Sequence, residues 1–236
     1  MSVAIVTGAS RGLGRALAHA LAGRGWDLVL GARRAKALEE TAEAVRSAHG
    51  ARVVAVPGDV TDAAHRRALV AAAGALGGLD LLVNNAGILG VEPLVRLEDH
   101  PLDRFRAALE ANVVAPLGLV QEALPLLRGA PAGAVVDISS DAAVEAYRTW
   151  GAYGATKAAL DRLSAVLAVE EPGLRVWWVD PGSMRTDMLA AADPEEAAGA
   201  PLPEEVAPAF LRLLDTRPAS GRHTAAGLLG AAGVTG

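Results

Sequence analysis

Short apolar runs alternate with longer amphipathic segments along the whole chain. The runs predict strands at Val3–Thr7, Asp27–Leu30, Arg52–Val56, Leu79–Val83, Ala134–Ile138 and Leu174–Val179, with a last short strand near Arg222–Ala226. Most of these runs are continuously apolar, which is typical of parallel strands buried on both faces. We therefore expect an α/β fold with one doubly wound, mainly parallel sheet and helices on both of its faces.

The segments between the strands have the spacing of helices. The predicted helices are Gly14–Gly23, Ala35–Ala48, Asp62–Leu76 with Thr61 or Asp62 as its N-cap, Pro101–Leu109 continuing to about Leu127 with a bend at Pro116, Tyr153–Glu170 and Glu204–Leu214. Ser183–Pro203 is rich in Ala, Pro and Glu and is predicted to be an irregular, mobile substrate loop. Without a repeat or a linker, we expect residues 1–236 to form a single catalytic domain.

Composition excludes several classes of function. The net charge of -5 argues against nucleic-acid binding, and the absence of cysteine excludes disulfides and thiolate chemistry. Five scattered histidines lack metal-ligand spacing, so no metal site is expected, and His65 and His100 are interpreted as surface residues. No apolar run approaches the roughly 18–20 residues of a membrane span. The first strand starts almost at Met1, leaving no room for a signal peptide, so we expect a cytoplasmic protein with no membrane partner.

A glycine-rich turn joins the first strand to the first helix. It reads Thr7-Gly8-Ala9-Ser10-Arg11-Gly12-Leu13-Gly14. Glycines at 8, 12 and 14 allow a sharp turn and a close backbone approach to a pyrophosphate, which would lie at the positive end of the helix. Glycines also serve turns for steric reasons alone, but this placement favours a dinucleotide site.

Four motifs together resemble the short-chain dehydrogenase/reductase family. They are the Gly-x-x-x-Gly-x-Gly turn, Asn84-Asn85-Ala86-Gly87 after the fourth strand, Ser140 thirteen residues before Tyr153-x-x-x-Lys157, and Pro181-Gly182 after the sixth strand. The resemblance covers Val3 to about Met188. It implies a Rossmann-like domain that binds a nicotinamide cofactor.

The residues after the second strand indicate which cofactor binds. No acid is present there to accept the ribose 2′-hydroxyl, and Arg33 and Arg34 follow instead, with Arg11 in the glycine turn. Arginines can grip a 2′-phosphate, so we predict NADP(H), although these three could be solvated loop residues. Asp59 resembles an adenine contact or could be a turn residue. The predicted cofactor-binding residues are Gly8, Ser10, Arg11, Gly12, Leu13, Gly14, Arg33, Arg34, Asp59, Val60, Asn85, Ala86, Gly87, Tyr153, Lys157, Pro181, Gly182, Met184 and Thr186.

The candidate catalytic residues are Asn112, Ser140, Tyr153 and Lys157. Tyr153 and Lys157 lie four residues apart, so a helix places both on one side. The nearby ammonium is expected to lower the pKa of the phenol, which would donate and accept the proton. Ser140 would orient the substrate oxygen. By resemblance, Lys157 also holds the nicotinamide ribose, and Asn112 bends its helix and supports a water beside the lysine.

The predicted function is oxidation and reduction between a small or medium, mainly apolar carbonyl compound and its alcohol. Alternatives are a non-catalytic NADP(H)-binding regulator, a lyase or epimerase on the same fold, and a carrier-linked 3-oxoacyl reductase, for which Arg104 and Arg106 are thin evidence. A homodimer through the two long helices, or a homotetramer, is expected, although the shortened last strand places the tetramer in doubt. The candidate pocket residues are Leu89, Val144, Tyr147, Trp150, Met184 and Met188, with Tyr147 and Trp150 alternatively core or interface aromatics.

Overall fold

A computed structural model describes residues 2–230 and contains one seven-stranded sheet. The strand order is β3-β2-β1-β4-β5-β6-β7, and all six pairings are parallel. The strands are β1 Val3–Thr7, β2 Asp27–Ala32, β3 Val53–Pro57, β4 Leu81–Asn84, β5 Ala134–Ile138, β6 Arg175–Asp180 and β7 Gly221–Thr224. The predicted doubly wound fold is therefore confirmed.

Alternation along the buried strands divides the core into two layers. In β1, Ala4 and Val6 pack with Leu17 and Phe210 on one face of the sheet. Val3 and Ile5 point to the other face, where they pack in a layer that includes Leu69 and Leu119. Because both faces are covered, the strands can be apolar at every position, as the sequence pattern indicated.

Ten α-helices connect or follow the strands in the described part of the chain. They are α1 Gly12–Ala22, α2 Ala35–His49, α3 Ala63–Leu76, α4 Leu102–Leu109, α5 Ala115–Gly129, α6 Gly151–Glu170, α7 Asp187–Ala192, α8 Pro194–Gly199, α9 Pro203–Thr216 and α10 Ala225–Gly230. The N-cap of α3 is Asp62, whose carboxylate accepts a hydrogen bond from the backbone N–H of Ala64 at 2.8 Å. α10 directly follows β7, and the tail beyond residue 230 lies outside the described residues.

The long helical segment before β5 changes its helix type just before Pro116. Its irregularity is one π-helical turn at Glu110–Val114, and α5 begins immediately afterwards. Pro116 lies in the first turn of α5. The irregularity of this segment is therefore the π-helical turn that contains Asn112 and ends just before Pro116.

The segment Ser183–Pro203 is not irregular as predicted. It contains α7 and α8, whose N-caps are Thr186 and Asp193. Thr186 Oγ1 accepts a hydrogen bond from Leu189 N, and Asp193 Oδ1 accepts one from Glu196 N at 2.9 Å. Each helix spans only six residues, too few for an apolar period to show in the sequence.

Candidate active site

One cavity of about 1180 Å³ opens at the carboxyl ends of the strands. Ligands bind at this edge in open parallel sheets. All but one of the predicted cofactor-binding residues line the cavity, and so do Ser140, Tyr153 and Lys157. The two predicted site residues that do not line it are Gly14 and Asn112.

Gly14 does not line the cavity but packs against the backbone of the glycine turn. A Cβ on Gly14 would lie 2.5 Å from the carbonyl oxygen of Gly8, and one on Gly8 would lie 2.7 Å from Asn85 Nδ2. Gly8 and Gly12 also have φ values of 67° and 53°, which L side chains rarely adopt. At the start of α1, Arg11 is an N-cap without a side-chain hydrogen bond to the helix. The first N–H groups of α1 therefore face the cavity without a side-chain cap, and this arrangement fits a phosphate.

Thr7 ties the glycine turn to the Asn84-Asn85-Ala86-Gly87 motif. Its hydroxyl accepts hydrogen bonds from the backbone N–H groups of Asn85 and Ala86, each at 3.0 Å, and donates to Val83 O. Asn85 Nδ2 donates to Thr7 O at 2.8 Å. These contacts hold the ends of β1 and β4 together on the floor of the cavity.

The three arginines predicted to bind the 2′-phosphate do not share one environment. Arg33 and Arg34 are exposed at the rim after β2. Arg11 is paired with Asp187 of α7. Asp59 Oδ1 accepts hydrogen bonds from both the N–H and the hydroxyl of Thr61, so Asp59 is a turn residue as well as part of the cavity wall.

His65 is buried rather than on the surface, and this interpretation is corrected. Its side chain lies against the turn at Gly58, where a Cβ would approach the imidazole to 2.3 Å. It lines the cavity beside Asp59, and burial lowers the pKa of His65. Because Gly58 has no side chain, it leaves space for the imidazole ring of His65.

Tyr153 and Lys157 are both buried on the side of α6 that faces the cavity. Lys157 Nζ donates a hydrogen bond to Ile138 O at 2.7 Å and lies 5.6 Å from the centroid of the Tyr153 ring. Burial lowers the pKa of Lys157 to about 8, against the opposing effects of Asp161 and Asp137. The lysine is thus close enough to neutrality to exchange protons near physiological pH.

The expected lowering of the pKa of Tyr153 is wrong for the protein in this structure. Burial raises the pKa of Tyr153, and the carboxylates of Asp141 and Asp180 raise it further. A hydrogen bond with Ser140 acts in the opposite direction. Desolvation of the phenolate is the largest cause, and the Lys157 ammonium donates to the Ile138 carbonyl rather than to the phenol.

Ser140 caps a turn and also lines the cavity. Its hydroxyl donates to Asp141 Oδ1 at 3.0 Å and accepts from Ala142 N, capping a 3₁₀ turn at Asp141–Ala143. Tyr147 donates its hydroxyl to the other oxygen of Asp141. The serine hydroxyl is therefore held at the end of β5, on the same cavity wall as Tyr153.

Asn112 is fully enclosed and its side-chain amide bonds to protein groups. It accepts from Ile88 N and donates to Ile88 O and to Thr156 Oγ1, all at 2.9 Å. The side chain thus joins the π-helical turn to the segment after β4 and to α6 between Tyr153 and Lys157. This explains its burial outside the cavity.

The chain matches the family model described as short chain dehydrogenase over residues 2–197. It belongs to the short-chain dehydrogenase family. These proteins are oxidoreductases that use a nicotinamide cofactor, and the cavity presents the residues expected for both roles.

Curated relatives of this short-chain dehydrogenase differ in length and named substrate. The chain is 37% identical over 83% of its length to glycine betaine reductase of Emericella nidulans, of which it covers 15%. It is 36% identical over 79% of its length to 11-beta-hydroxysteroid dehydrogenase A of Sesamum indicum, of which it covers 53%. It is 35% identical over 83% of its length to D-erythrulose reductase of Gallus gallus, covering 77% of that protein.

Solved structures of the family superpose closely. A putative short chain dehydrogenase from Shigella flexneri, complexed with NADP, gives a TM-score of 0.88 at 30% identity, covering 94% of this chain and 95% of the other. The described chain contains no helix that is both long and apolar enough to cross a membrane. Nor does a group of three or more potential metal ligands occur within residues 2–230.

The substrate side of this short-chain dehydrogenase differs from the prediction at two residues. Tyr147, Trp150, Met184 and Met188 line the cavity, but Leu89 and Val144 do not. Leu89 is buried beneath Tyr153, whereas Val144 is 61% exposed. Trp150 is half-buried and packs edge-on against Tyr153 with ring centroids 5.6 Å apart.

Several charged residues of the site were not predicted from the sequence. Asp180, at the end of β6, accepts a hydrogen bond from Gly182 N at 2.9 Å and shapes the Pro181-Gly182 turn. Its position directly before Pro-Gly at a strand end was a usable signal. Asp141, Asp187 and Arg222 carried none, because their importance depends on which segments the fold brings together.

Proposed function

We propose that the protein is an NADP(H)-dependent reductase that converts a small or medium, mainly apolar carbonyl compound to its alcohol. The observation that carries the proposal is the buried Tyr153–Lys157 pair beside Ser140, on the wall of the cavity that begins at the glycine turn. The apolar side chains at the substrate end, Trp150, Met184 and Met188, favour an uncharged substrate of modest size.

The protein's own residues would perform the proton chemistry. When bound, the nicotinamide cofactor would supply hydride to the carbonyl carbon. Tyr153 would donate its hydroxyl proton to the carbonyl oxygen as negative charge develops there, and Ser140 would orient that oxygen. The resulting phenolate would then take up a proton from solvent, and the positive charge of Lys157 near the ring would stabilise it until it does.

The electrostatics of Tyr153 favour the direction of reduction. Burial and the carboxylates of Asp141 and Asp180 raise the pKa of Tyr153, so the phenol carries its proton before the reaction. A protonated phenol is the form needed to donate to an alkoxide, whereas alcohol oxidation needs the phenolate.

The proposed preference for NADP(H) is supported by charge at the end of β2. The strand ends without an acid, and Arg33 and Arg34 line the cavity there. A 2′-phosphate would gain charge-assisted hydrogen bonds from these guanidinium groups. The Shigella flexneri relative crystallised with NADP is consistent with this choice.

Replacing the proton donor tests the reaction. Tyr153→Phe should lower kcat for carbonyl reduction roughly 100-fold or more, since general acids contribute about that much, while NADPH binding by fluorescence titration stays nearly unchanged. Tyr147→Phe removes the hydroxyl of the other tyrosine, which is exposed, and should lower kcat far less. Undiminished turnover in Tyr153→Phe would contradict the mechanism.

Replacing one rim arginine tests the cofactor. Arg33→Ala should weaken NADPH binding by roughly tenfold, the loss of one charged hydrogen bond, and leave NADH binding almost unchanged. Arg24→Ala is a matched control, because Arg24 is also exposed but pairs with Asp215. Equal effects of Arg33→Ala on both cofactors would remove the phosphate assignment.

The proposed homodimer rests on exposed apolar side chains of the two long helical segments. Val114 ends the π-helical turn, Leu117 lies in the first turn of α5, and Val166 and Val169 lie on α6. Sedimentation of the intact protein and of Val169→Glu should show a dimer only for the former. A monomer in both cases would overturn the proposal.

A further inference from the structure

β7 differs from the other six strands of the sheet because none of its four residues is buried. Its sequence, Gly221-Arg222-His223-Thr224, offers little apolar surface to a core. The long side chain of Arg222, which is 25% exposed, does reach other parts of the site. The strand therefore contributes a charge, rather than packing, to the molecule.

Arg222 contacts three separate parts of the site. Its Nη2 donates to the backbone carbonyl of Ser140 at 2.9 Å and lies 3.5 Å from Asp180 Oδ2. Its Nε donates to Asp161 Oδ2 at 3.3 Å. We propose that Arg222 is a positioning residue for carbonyl reduction, which holds the Ser140 peptide, the Pro181-Gly182 turn and α6 in their working arrangement.

The contact with Ser140 fixes the peptide that carries the substrate-orienting hydroxyl. Ser140 Oγ donates to the side chain of Asp141, the next residue, so Asp141 holds the hydroxyl of Ser140 while Arg222 holds its backbone carbonyl. A guanidinium in a fixed fork can restrain a carbonyl and a carboxylate together, which a single ammonium cannot.

The contact with Asp180 extends to the turn above the proposed nicotinamide position. Asp180 uses Oδ1 to accept from Gly182 N, and Gly182 has a φ of 71°. Its Oδ2 faces Arg222. The same carboxylate therefore connects the arginine to the backbone of the turn, while its charge also acts on Tyr153.

The contact with Asp161 reaches the helix of the catalytic pair. Asp161 lies one turn after Lys157 on α6, is largely buried, and its Oδ1 is enclosed without a hydrogen-bond partner. Asp161 and Asp137 are the carboxylates that act on Lys157, with the Tyr153 ring on its other side. Without Arg222, the carboxylates of Asp161 and Asp180 would lose their shared counter-charge.

The inference rests on the proposed reductase function, so its test includes a readout that needs no substrate. We would compare wild type with Arg222→Gln, Arg222→Lys and the control Arg128→Gln. Arg128 forms two hydrogen bonds to Glu171 at the far end of α6, away from the cavity. The measurements are Tm, NADPH affinity, kcat and KM, and amide hydrogen exchange across residues 139–145 and 180–186.

For Arg222→Gln we expect kcat to fall roughly tenfold to 100-fold, the cost of a small misplacement of reacting groups, with a smaller loss of NADPH affinity and faster exchange in both segments. Arg222→Lys should recover Tm but only part of kcat. Arg128→Gln should leave kcat and exchange in both segments as in wild type. In a pH profile of kcat, the alkaline limb of Arg222→Gln should shift to higher pH, because Lys157 would then face the unneutralised carboxylate of Asp161.

Normal kcat and normal exchange in folded Arg222→Gln would overturn the proposal. If that variant does not fold, full activity in Arg222→Lys would overturn it instead. A wild-type protein without carbonyl reductase activity would refute the proposed function, and the exchange data would still decide whether Arg222 positions the two segments.

Discussion

Two regions border the same cavity and are held in place by different forces. The glycine turn, residues 7–14, depends on backbone conformation and buried hydrogen bonds from Thr7 and Asn85. The capping segment, Ser183–Pro203, contacts the turn and α1 mainly through side chains at the surface, with Arg11 pairing to Asp187. The difference indicates that the glycine turn is rigid, while the capping segment rests on weaker contacts.

The energies of these contacts have different scales. Displacing backbone in a packed turn costs about 1–3 kcal/mol, whereas an exposed ion pair contributes about 0–1 kcal/mol. Arg11 and Asp187 have exposed side-chain fractions of 51% and 75%. The capping segment can therefore move or diverge at little cost, and the glycine turn cannot.

The largest expected effect comes from making one substitution in both regions. Gly14→Ala would place a Cβ 2.5 Å from the carbonyl oxygen of Gly8, whereas Gly199→Ala in α8 meets nothing within 4 Å. We expect Gly14→Ala to destabilise the protein by about 1–3 kcal/mol and to weaken NADPH binding at least roughly tenfold. Gly199→Ala should leave stability unchanged or raise it by about 0.4–1 kcal/mol.

Denaturant unfolding and fluorescence titration would measure both quantities. Equal losses in Gly14→Ala and Gly199→Ala would show that the two regions are equally rigid. A normal affinity in Gly14→Ala would show that the turn adapts to a side chain at this position.

A smaller effect is expected from releasing the arginine of the glycine turn. Asp187→Asn removes the negative partner of Arg11, so a 2′-phosphate would no longer compete with a carboxylate. NADPH affinity should increase a few-fold, about what a surface ion pair is worth, and NADH affinity should stay the same. Asp103→Asn, in the first turn of α4 and 79% exposed, is the matched control. Equal changes for both cofactors would mean that Arg11 does not contact the phosphate.

The smallest effect is expected at the contact between α1 and α9, which follows the capping segment. Arg15 and Glu204 form an ion pair at 3.4 Å with both side chains about half exposed. A double-mutant cycle with Arg15→Gln and Glu204→Gln should give a coupling free energy below about 1 kcal/mol. A larger coupling free energy would mean that the contact between α1 and α9 is held more firmly than a surface ion pair.

Local patterns predicted the parts of the molecule that depend on neighbouring residues. The strand Ala134–Ile138 agrees at both ends because a buried parallel strand needs a continuous apolar run. The helices α7 and α8 were not predicted, because helices of six residues are stabilised by their caps and contacts more than by a periodic sequence pattern.

Distant contacts decided the electrostatics of the site. The Tyr153–Lys157 spacing alone predicts an ammonium near a phenol, but the sheet also brings Asp141 and Asp180 to the same wall and buries the hydroxyl, so the pKa of Tyr153 rises. His65 was misplaced for a related reason, since its burial depends on the turn at Gly58 rather than on its helix.

The sequence by itself determined the family, the doubly wound sheet and the position of the glycine turn, because apolar runs and short motifs encode strands and turns locally. Only the tertiary structure decided that Arg222 reaches Ser140, Asp161 and Asp180 from the last strand, and that Asp187 pairs with Arg11. The reason is that the energy of a charged group depends on what surrounds it in space, and residues more than forty positions apart in the sequence surround these groups.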